Sequence, residues 1–220
     1  MRTATKTISK PLLLCLCAAL LASCRPGGRS PSALLTEAIR NKDSAEVRRL
    51  LAAGAPVNPR EELVYTPLMT AVMQDDAEIT DILLDNGADM TARNGDRETA
   101  LHLAARWGKE TAIDRLLKRG ANTERRDFIG WTPLMWASLR GKDAVIKKLL
   151  DAGANINAID SDGNTPLILS VWRGHAGTAE LLLANRARRE TVNRFGLDAA
   201  GVARKNGFPE LAEKVRTFKE

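Results

Sequence analysis

The 220-residue sequence predicts an all-α fold, a solenoid built from pairs of antiparallel helices joined by hairpin loops. The main support is a set of motifs that recurs every 33 residues without slipping. These motifs are a helix start at Thr66, Thr99, Thr132 and Thr165, a leucine pair beginning at Leu50, Leu83, Leu116, Leu149 and Leu182, and a glycine at Gly54, Gly87, Gly120 and Gly153. The second support is the composition, 44% hydrophobic and 27% charged, which suffices for a buried core and excludes a wholly disordered chain. Because a unit this short cannot bury its apolar face alone, neighbouring units are expected to stack.

Residues 1–23 have the order of a secretory signal peptide: basic residues first, then about a dozen apolar residues, then small ones. The basic residues are Arg2, Lys6 and Lys10, and the apolar run is Pro11 to Ala22. A membrane-spanning helix needs about 20 apolar residues, so a permanent span is not expected. The three basic residues supply half of the formal charge of +6, and two of the three cysteines fall in the same run. The chain-wide charge and cysteine count therefore describe this segment more than the rest of the protein.

The junction Leu21-Ala22-Ser23-Cys24 resembles the lipobox of bacterial lipoproteins. The resemblance implies that Cys24 becomes the acylated first residue, anchored through chains that contribute about 0.8 kcal/mol per buried methylene. An ordinary signal peptide followed by a chance cysteine is the alternative. In lipoproteins of this kind a residue other than aspartate after the cysteine usually directs the protein to the outer membrane, and Arg25 fits that rule. We therefore expect a lipoprotein of the bacterial cell envelope that faces the periplasm.

Residues 24–32 are predicted to form a flexible tether, because after Cys24 they consist only of arginine, proline, glycine and serine. A coil of this length reaches about 16 Å. The domain that follows is thus expected to lie close to a membrane surface.

Each unit of the repeat predicts two short helices. Threonine followed by proline, as at Thr132-Pro133, suits a helix start because the hydroxyl accepts an unpaired backbone N–H and proline at the first helical position loses no hydrogen bond. Nine residues later a glycine such as Gly141 ends the helix in the left-handed region. A second amphipathic stretch then runs to the Gly153 step, and Asp-x-x-Gly sequences such as Asp160 to Gly163 form turns between units.

The motifs Thr-Pro-Leu-x-x-Ala and Leu-Leu-x-x-Gly-Ala at this period resemble the ankyrin repeat, from Ala33 to the C-terminus. The resemblance implies about six repeats, including two degenerate caps. The predicted boundaries are 33–65 for the N-terminal cap, 66–98, 99–131, 132–164 and 165–197 for the full repeats, and 198–220 for the C-terminal cap. Arg186 stands where the second glycine belongs, so its turn is expected to be remodelled or strained. Asp75 replaces the first-helix glycine and is a milder exception.

The sequence predicts neither an enzyme nor a cofactor or metal site. His102 and His175 occupy positions where ankyrin repeats carry histidine, so we expect structural hydrogen bonds, and two histidines without a nearby cysteine do not form a zinc site. The acidic run that begins at Asp160 lacks the spacing of a calcium loop, since glycine falls at its fourth position and Val171 at its twelfth. Sequence motifs of serine hydrolases, metalloproteases and phosphate-binding loops are absent.

Ankyrin proteins usually meet partners through the hairpin tips and the exposed side of the first helix. The resemblance therefore maps an interface onto residues four, three and one before each threonine and seven and eight after it. Five of the nine aromatic residues fall on these positions, against about one for random placement. Arg60, Arg93 and Arg126 add a ladder six residues before the threonines. The predicted protein-binding residues are Tyr65, Arg93, Arg106, Trp107, Arg126, Phe128, Ile129, Trp131, Leu139, Arg140, Trp172 and Arg173.

This interface is expected to be a concave face centred on Trp107, Trp131, Arg140 and Trp172, since tryptophan and arginine dominate interface energies. The alternative is that some rings, Trp131 and Phe128 above all, pack between adjacent hairpins and stiffen the solenoid. Trp136 is assigned to the core, because it stands where the repeat places a buried leucine.

The predicted protein is a monomeric, lipid-anchored, non-enzymatic adaptor that binds a protein partner in the periplasm. Two roles fit: organiser or chaperone of an envelope enzyme, and inhibitor of a toxin, as an immunity protein is. The alternative is a passive envelope protein whose basic stretch from Arg186 to Lys205 contacts anionic lipid or cell wall, although charge runs are more often solvated faces. Nucleic-acid binding is disfavoured by the export signal.

Overall fold

The computed structural model describes residues 29–59 and 64–219. Every regular element in this part of the chain is an α-helix. The helices are α1 Pro31–Arg40, α2 Ser44–Ala52, α3 Pro67–Gln74, α4 Ala77–Asp85, α5 Ala100–Trp107, α6 Glu110–Lys118, α7 Pro133–Leu139, α8 Asp143–Asp151, α9 Pro166–Trp172, α10 Ala176–Ala184, α11 Ala199–Lys205 and α12 Pro209–Thr217. The predicted signal peptide, the predicted acylation site Cys24 and the first ladder residue Arg60 lie outside the described residues. Within those residues, no helix combines the length and the apolar character that a membrane crossing requires.

The helices stack in two rows. Each odd-numbered helix packs against the even-numbered helix that follows it, and it also packs against the next odd-numbered helix. The even-numbered helices pack against each other in the same way. We call the odd-numbered set the inner helices and the even-numbered set the outer helices. The predicted all-α solenoid is thus confirmed.

One apolar core runs the length of the solenoid, from Leu35 in α1 to Val215 in α12. Leucine, isoleucine and alanine dominate it, and aromatic rings are almost missing. Each repeat buries its apolar side chains against both neighbours, so the core is continuous although every repeat is small.

The Thr-Pro sequences begin inner helices, as predicted. The hydroxyls of Thr66, Thr132 and Thr165 each accept a hydrogen bond from the backbone N–H three residues on, at 3.2 to 3.3 Å. Proline occupies the first helical position at all three starts. Thr99 has alanine there, and its own N–H donates to Nδ1 of His102 at 3.2 Å. The residues that the sequence marked as helix starts therefore satisfy the unpaired groups of the first turn.

Residues with positive φ recur in three registers, each with the 33-residue period. One register follows the inner helix, one follows the outer helix, and one lies in the loop between helix pairs. The residues after the inner helices are Lys42, Asp75, Gly108, Gly141, Gly174 and Gly207. Those after the outer helices are Gly54, Gly87, Gly120, Gly153 and Arg186. Those in the loops between helix pairs are Arg97, Gly130, Gly163 and Gly196. The backbone thus keeps its turns even at the four positions where the glycine is replaced.

Arg186 does not remodel its turn. It adopts φ of 65° in the left-handed region. Its N–H donates to the carbonyl of Leu183 at 2.9 Å, and the N–H of Gly153 donates to Leu150 at the same distance one repeat earlier. The expected strain therefore stays in the backbone of the arginine itself, where a left-handed side-chain-bearing residue costs about 1–2 kcal/mol.

The predicted end of the tether is too late in the chain. Helix α1 begins at Pro31, and the hydroxyl of Ser30 accepts the N–H of Ala33 at 3.2 Å as its N-cap. Ser32, which was assigned to the tether, is 2% exposed. The Ser-Pro start lies three residues outside the strict period, because α1 is one turn longer at its N-terminus than the other inner helices. Only a local helix-start signal, not the repeat spacing, locates it.

Candidate protein-binding surface

The loops between helix pairs are braced hairpins. In the four loops whose residues are all described, from α4–α5 to α10–α11, the side chain of an asparagine or aspartate accepts the backbone N–H groups two and four residues further on, at 2.8 to 3.2 Å. Its own N–H donates to the carbonyl four residues on at 3.0 Å. The bracing residues are Asn94, Asp127, Asp160 and Asn193. The side chains on these hairpins are consequently held in place before any partner arrives, which lowers the entropy lost on binding.

Neighbouring hairpins are also bonded to each other. The N–H of Phe128 donates to the carbonyl of Asp96 at 2.9 Å, and the N–H of Arg194 donates to Asp162 at 2.8 Å. Between them, a guanidinium N–H of Arg126 donates to the carbonyl of Ile159 at 2.6 Å. The hairpins and the C-terminal ends of the inner helices thus form one surface, which we call the inner face.

Most of the predicted binding residues are solvent-exposed on this face. The exposed fractions of the apolar ones are 73% for Phe128, 52% for Trp107, 45% for Trp172, 44% for Ile129 and 36% for Tyr65. Four predicted arginines are exposed as well: Arg93, Arg126, Arg140 and Arg173. Large rings in contact with water do not contribute to the core, so their position needs another explanation.

Trp131 and Leu139 correct the prediction, because both are buried. Trp131 is 8% exposed and Leu139 is 6% exposed. The indole N–H of Trp131 donates to Asp160 of the next hairpin at 2.8 Å, and its ring meets Trp136 edge-on at 4.7 Å between centroids. These side chains form a second apolar cluster with Met135. For Trp131 the alternative of packing between hairpins therefore holds, and Trp136 lies in the core as expected.

The side chain of Arg106 is also engaged in contacts within the fold. Its guanidinium lies 2.6 Å from the carboxylate of Glu98, whose side chain is 2% exposed, and 4.2 Å from the ring centroid of Trp136. It also lies 5.7 Å from the ring centroid of Trp107. Arg106 thus supports the exposed tryptophan instead of facing a partner freely.

Three exposed apolar residues on the last two hairpins were missed. Ile159, Val192 and Phe195 are 50%, 55% and 62% exposed. Ile159 and Val192 continue the arginine ladder in the next two repeats, and Phe195 stands three residues before Asp198, the N-cap of α11. Applying the ladder position to every full repeat would have found Ile159, and extending the mapped positions and the ladder into the C-terminal cap would have found Phe195 and Val192.

A groove of about 440 Å³ lies between the last three hairpins and the inner helices α9 and α11. We call it the apolar groove. Its apolar lining consists of Ile129, Trp131, Ile168, Trp172, Phe195, Leu197 and Val202. Its polar lining is largely engaged within the fold: Asn193 donates to Asn164 at 3.1 Å, and Asp162 pairs with Arg194 at 2.9 Å.

Charged side chains are paired between the outer helices, whereas several cations on the inner face are not paired with any described residue. Ion pairs link successive outer helices, with Arg115 to Asp81 at 3.4 Å and Lys148 to Asp114 at 2.7 Å. The carboxylate of Asp114 raises the pKa of Lys148. On the inner face Arg140, Arg173 and Lys205 form no ion pair with any described residue. The inner face therefore presents positive charge that the fold itself does not neutralise.

The two histidines have structural roles. His102 is fully buried, accepts the N–H of Thr99 at Nδ1 and donates from Nε2 to the carbonyl of Trp131 at 3.1 Å. Burial lowers its pKa below the ordinary value. His175 donates to the carbonyl of Leu139 at 3.1 Å. Among residues 29–59 and 64–219 there is no group of three or more histidine, cysteine or acidic side chains placed to hold a metal ion.

Stacked helix pairs, braced hairpins and exposed rings on one face define a helical-repeat scaffold whose surface suits a protein partner. The family model for ankyrin repeats in three copies matches residues 35–127 and 123–195. The chain belongs to the ankyrin-repeat family. Membership in this family implies a role in protein–protein interaction, and proteins of the family generally act as binding scaffolds without catalysis.

Similar proteins share the repeats over a short stretch. Inversin from Mus musculus is 35% identical over 82 residues, 37% of this chain and 8% of that protein. The human mitochondrial disaggregase is 42% identical over 77 residues, 34% of this chain and 11% of that protein. The human 2-5A-dependent ribonuclease is 41% identical over 73 residues, 33% of this chain and 10% of that protein. The chain thus spans about a tenth of the length of these relatives, and the likeness is one of repeats.

Proposed function

We propose that this protein is a lipid-anchored ankyrin adaptor of the bacterial envelope, which binds a protein partner on the periplasmic side through its inner face. The observation that carries the proposal is the set of exposed rings on that face, with Trp107 and Trp172 about half exposed. These rings lie on a surface braced by hydrogen bonds, so binding orders little further backbone. No catalytic step is part of the proposed role.

Burial of the exposed rings is the expected main source of binding energy. Burying a large apolar side chain contributes about 1.5–3 kcal/mol, and tryptophan is among the residues that most often dominate an interface. The guanidinium groups of Arg106 and Arg140 lie over the ring of Trp107, at 5.7 and 5.9 Å from its centroid. A partner that covers the exposed part of this ring gains apolar contact close to two guanidinium groups.

The binding test uses the full-length chain with Trp107→Ala and Trp172→Ala combined. We expect capture of partner proteins from envelope extracts to fall about tenfold or more, since two interface anchors are removed. Lys147→Ala on outer helix α8, where the lysine is exposed, is the matched control. Circular dichroism of both variants checks the fold. Unchanged capture by a folded double variant would overturn the proposed binding face.

The anchoring test concerns Cys24. Replacing it by alanine is expected to move the protein from the membrane fraction to the soluble periplasmic fraction, because the acyl chains supply the membrane affinity. Membrane association that survives in Cys24→Ala contradicts the lipid anchor.

Within this proposal, organiser and inhibitor remain distinct roles. Inspection of the neighbouring genes distinguishes the two roles. A neighbouring gene for a secreted effector favours an immunity protein, and one for a redox enzyme favours an organiser. A passive contact between the basic stretch and the envelope is less favoured: Arg194 pairs with Asp162, and Arg189 donates to the carbonyl of Phe218 at 3.0 Å. Part of that stretch is engaged in holding the C-terminal cap together.

A further inference from the structure

Resting on the proposed function, we infer that the partner docks by an acidic segment that places one large apolar side chain in the apolar groove. Its carboxylates lie against Arg140, Arg173 and Lys205. The apolar groove and the unpaired cations are separate observations, and both point to this chemistry.

The apolar groove sets the size and polarity of the side chain. Its volume of about 440 Å³ lies in the range of sites that enclose most of a bound group. Ile168 and Val202 are buried in the inner helices at 2% and 6% exposure, whereas Trp172 and Phe195 are 45% and 62% exposed. An entering aliphatic or aromatic side chain therefore covers both exposed rings at once.

The polar groups of the apolar groove do not favour a small polar ligand. Asn164 donates to Asp160 at 3.0 Å and accepts from Asn193 at 3.1 Å. Asp162 is paired with Arg194. Because these groups already have partners, a polar occupant gains few hydrogen bonds and would displace existing ones.

The cations Arg140, Arg173 and Lys205 favour a docking segment with negative charge. Inner helices α5, α7, α9 and α11 contain no aspartate or glutamate. Arg140 lies 5.9 Å from the ring of Trp107, Arg173 lies 5.9 Å from the ring of Trp172, and the amino group of Lys205 lies 5.7 Å from the ring of Phe195. Each cation thus stands beside an exposed ring, an arrangement suited to acidic and apolar side chains that alternate along a chain.

Charge complementarity of this kind affects association rates and specificity through long-range attraction. A nucleic acid is a second polymer with negative charge, yet its phosphates favour a continuous row of cations. Here each cation stands beside an exposed ring, and Lys205 also lines the apolar groove. A protein segment that carries both acidic and apolar side chains fits this arrangement better, and an oligonucleotide competitor serves as one arm of the test.

The test begins with selection of a random twelve-residue peptide library displayed on phage, using the immobilised full-length chain. We expect the enriched peptides to carry aspartate or glutamate within a few positions of a leucine, phenylalanine or tryptophan. A synthetic consensus peptide is then titrated against Arg140→Glu with Arg173→Glu. We expect its Kd to rise about tenfold or more, and raising the salt from 0.05 to about 0.5 M to weaken wild-type binding several-fold.

The matched control is Lys118→Glu with Lys147→Glu, which reverses the same amount of charge on exposed outer-helix positions. It is expected to leave the Kd within about twofold. Equal weakening by the inner and outer pairs, enriched peptides without acidic residues, no enriched peptide at all, or displacement of the consensus peptide by a single-stranded oligonucleotide would each overturn the inference.

Failure of this inference is distinguishable from failure of the proposed function. If Trp107→Ala with Trp172→Ala abolishes capture of envelope proteins while the selected peptides are not acidic, the binding face stands and only the acidic segment is wrong. If that variant captures proteins as well as the wild type, the proposed function itself fails.

Discussion

His102 illustrates how a single residue ties two repeats together. It receives the N–H of Thr99 at the start of α5 and donates to the carbonyl of Trp131, the last residue of its repeat, which directly precedes Thr132, the N-cap of α7 in the next repeat. Both bonds require a neutral ring, because Nδ1 accepts and Nε2 donates. Its burial lowers the pKa, since the charged form loses its hydration.

This residue predicts a pH dependence of stability. Because the pKa of His102 is lower in the folded state than the ordinary 6.5, the unfolded chain binds more protons between the two values. The contribution of His102 is therefore fully present above about pH 6.5 and is lost as the pH falls toward the lower, folded-state value. Chemical denaturation of the wild type and of His102→Gln between pH 5 and 8 measures it.

We expect the stability difference between wild type and His102→Gln to shrink as the pH falls through this window. The subtraction removes the contribution of carboxylates, which both proteins share. A difference that stays constant across the range would show that His102 does not change its protonation between the folded and unfolded states.

At the scale of the helical elements, equivalent turns of different repeats keep the same backbone geometry even where their residue types differ. Asp75 has replaced a glycine with φ of 56°, and its carboxylate accepts the N–H of Ala112 in the next outer helix at 3.0 Å. Arg186 has the same left-handed backbone, and among the described residues its side chain forms no hydrogen bond or ion pair. These two of the four glycine replacements thus differ, because the side chain of Asp75 caps a helix and that of Arg186 does not.

Exchanging residues between two equivalent turns tests this account. Arg186→Gly is expected to raise the free energy of unfolding by about 1–2 kcal/mol, because it removes left-handed strain from an unchanged turn. Gly153→Arg is expected to lower it by about 1–2 kcal/mol, because nothing lies within 4 Å of an added Cβ and only the backbone term acts.

Denaturant titration of the two variants measures both effects. Arg186→Ala is the control, since it removes the charge and keeps the strained backbone, and it should lie close to the wild type. A stabilisation by Arg186→Ala as large as that by Arg186→Gly would assign the effect to the charge.

The whole molecule is a linear stack, so its stability is distributed along one dimension. Among the described helices, every central pair packs against a pair on both sides, whereas α1–α2 and α11–α12 each pack against a pair on one side. Repeat proteins of this kind are described by unit stabilities and nearest-neighbour interfaces, and their ends open more readily than their centre.

Hydrogen exchange measured by mass spectrometry should follow this order. Backbone amides of α5 to α8 are expected to exchange at least about tenfold more slowly than those of α1, α2, α11 and α12, because opening the centre breaks two interfaces. Peptides from the wild type at neutral pH suffice for the comparison. Uniform protection from end to end would indicate one cooperative unit without weaker ends.

The fold of this protein follows from the sequence because its signals are local. Helix starts such as Thr66-Pro67 and stops such as Gly141 act within a few residues, and the period repeats them until the stack is defined. The periodic pattern does not predict the start of α1, because Ser30 and Pro31 lie three residues outside the register. The locally encoded part thus includes the helices, their turns and the assignment of Trp136 to the core.

The inner face depended on tertiary structure, because exposure of a side chain is decided by the neighbouring repeat. Trp131 and Trp107 both fall on positions where ankyrin proteins bind partners, yet Asp160 of the next hairpin holds Trp131 in the core, whereas Trp107 remains about half exposed. Likewise the guanidinium of Arg106 lies 4.2 Å from the ring centroid of Trp136 in the next repeat, whereas Arg140 forms no ion pair with any described residue. The sequence alone determined the repeat and where its helices begin and end. Which rings and cations reach solvent was decided only when residues about thirty apart were brought into contact, and no periodic pattern encodes that contact.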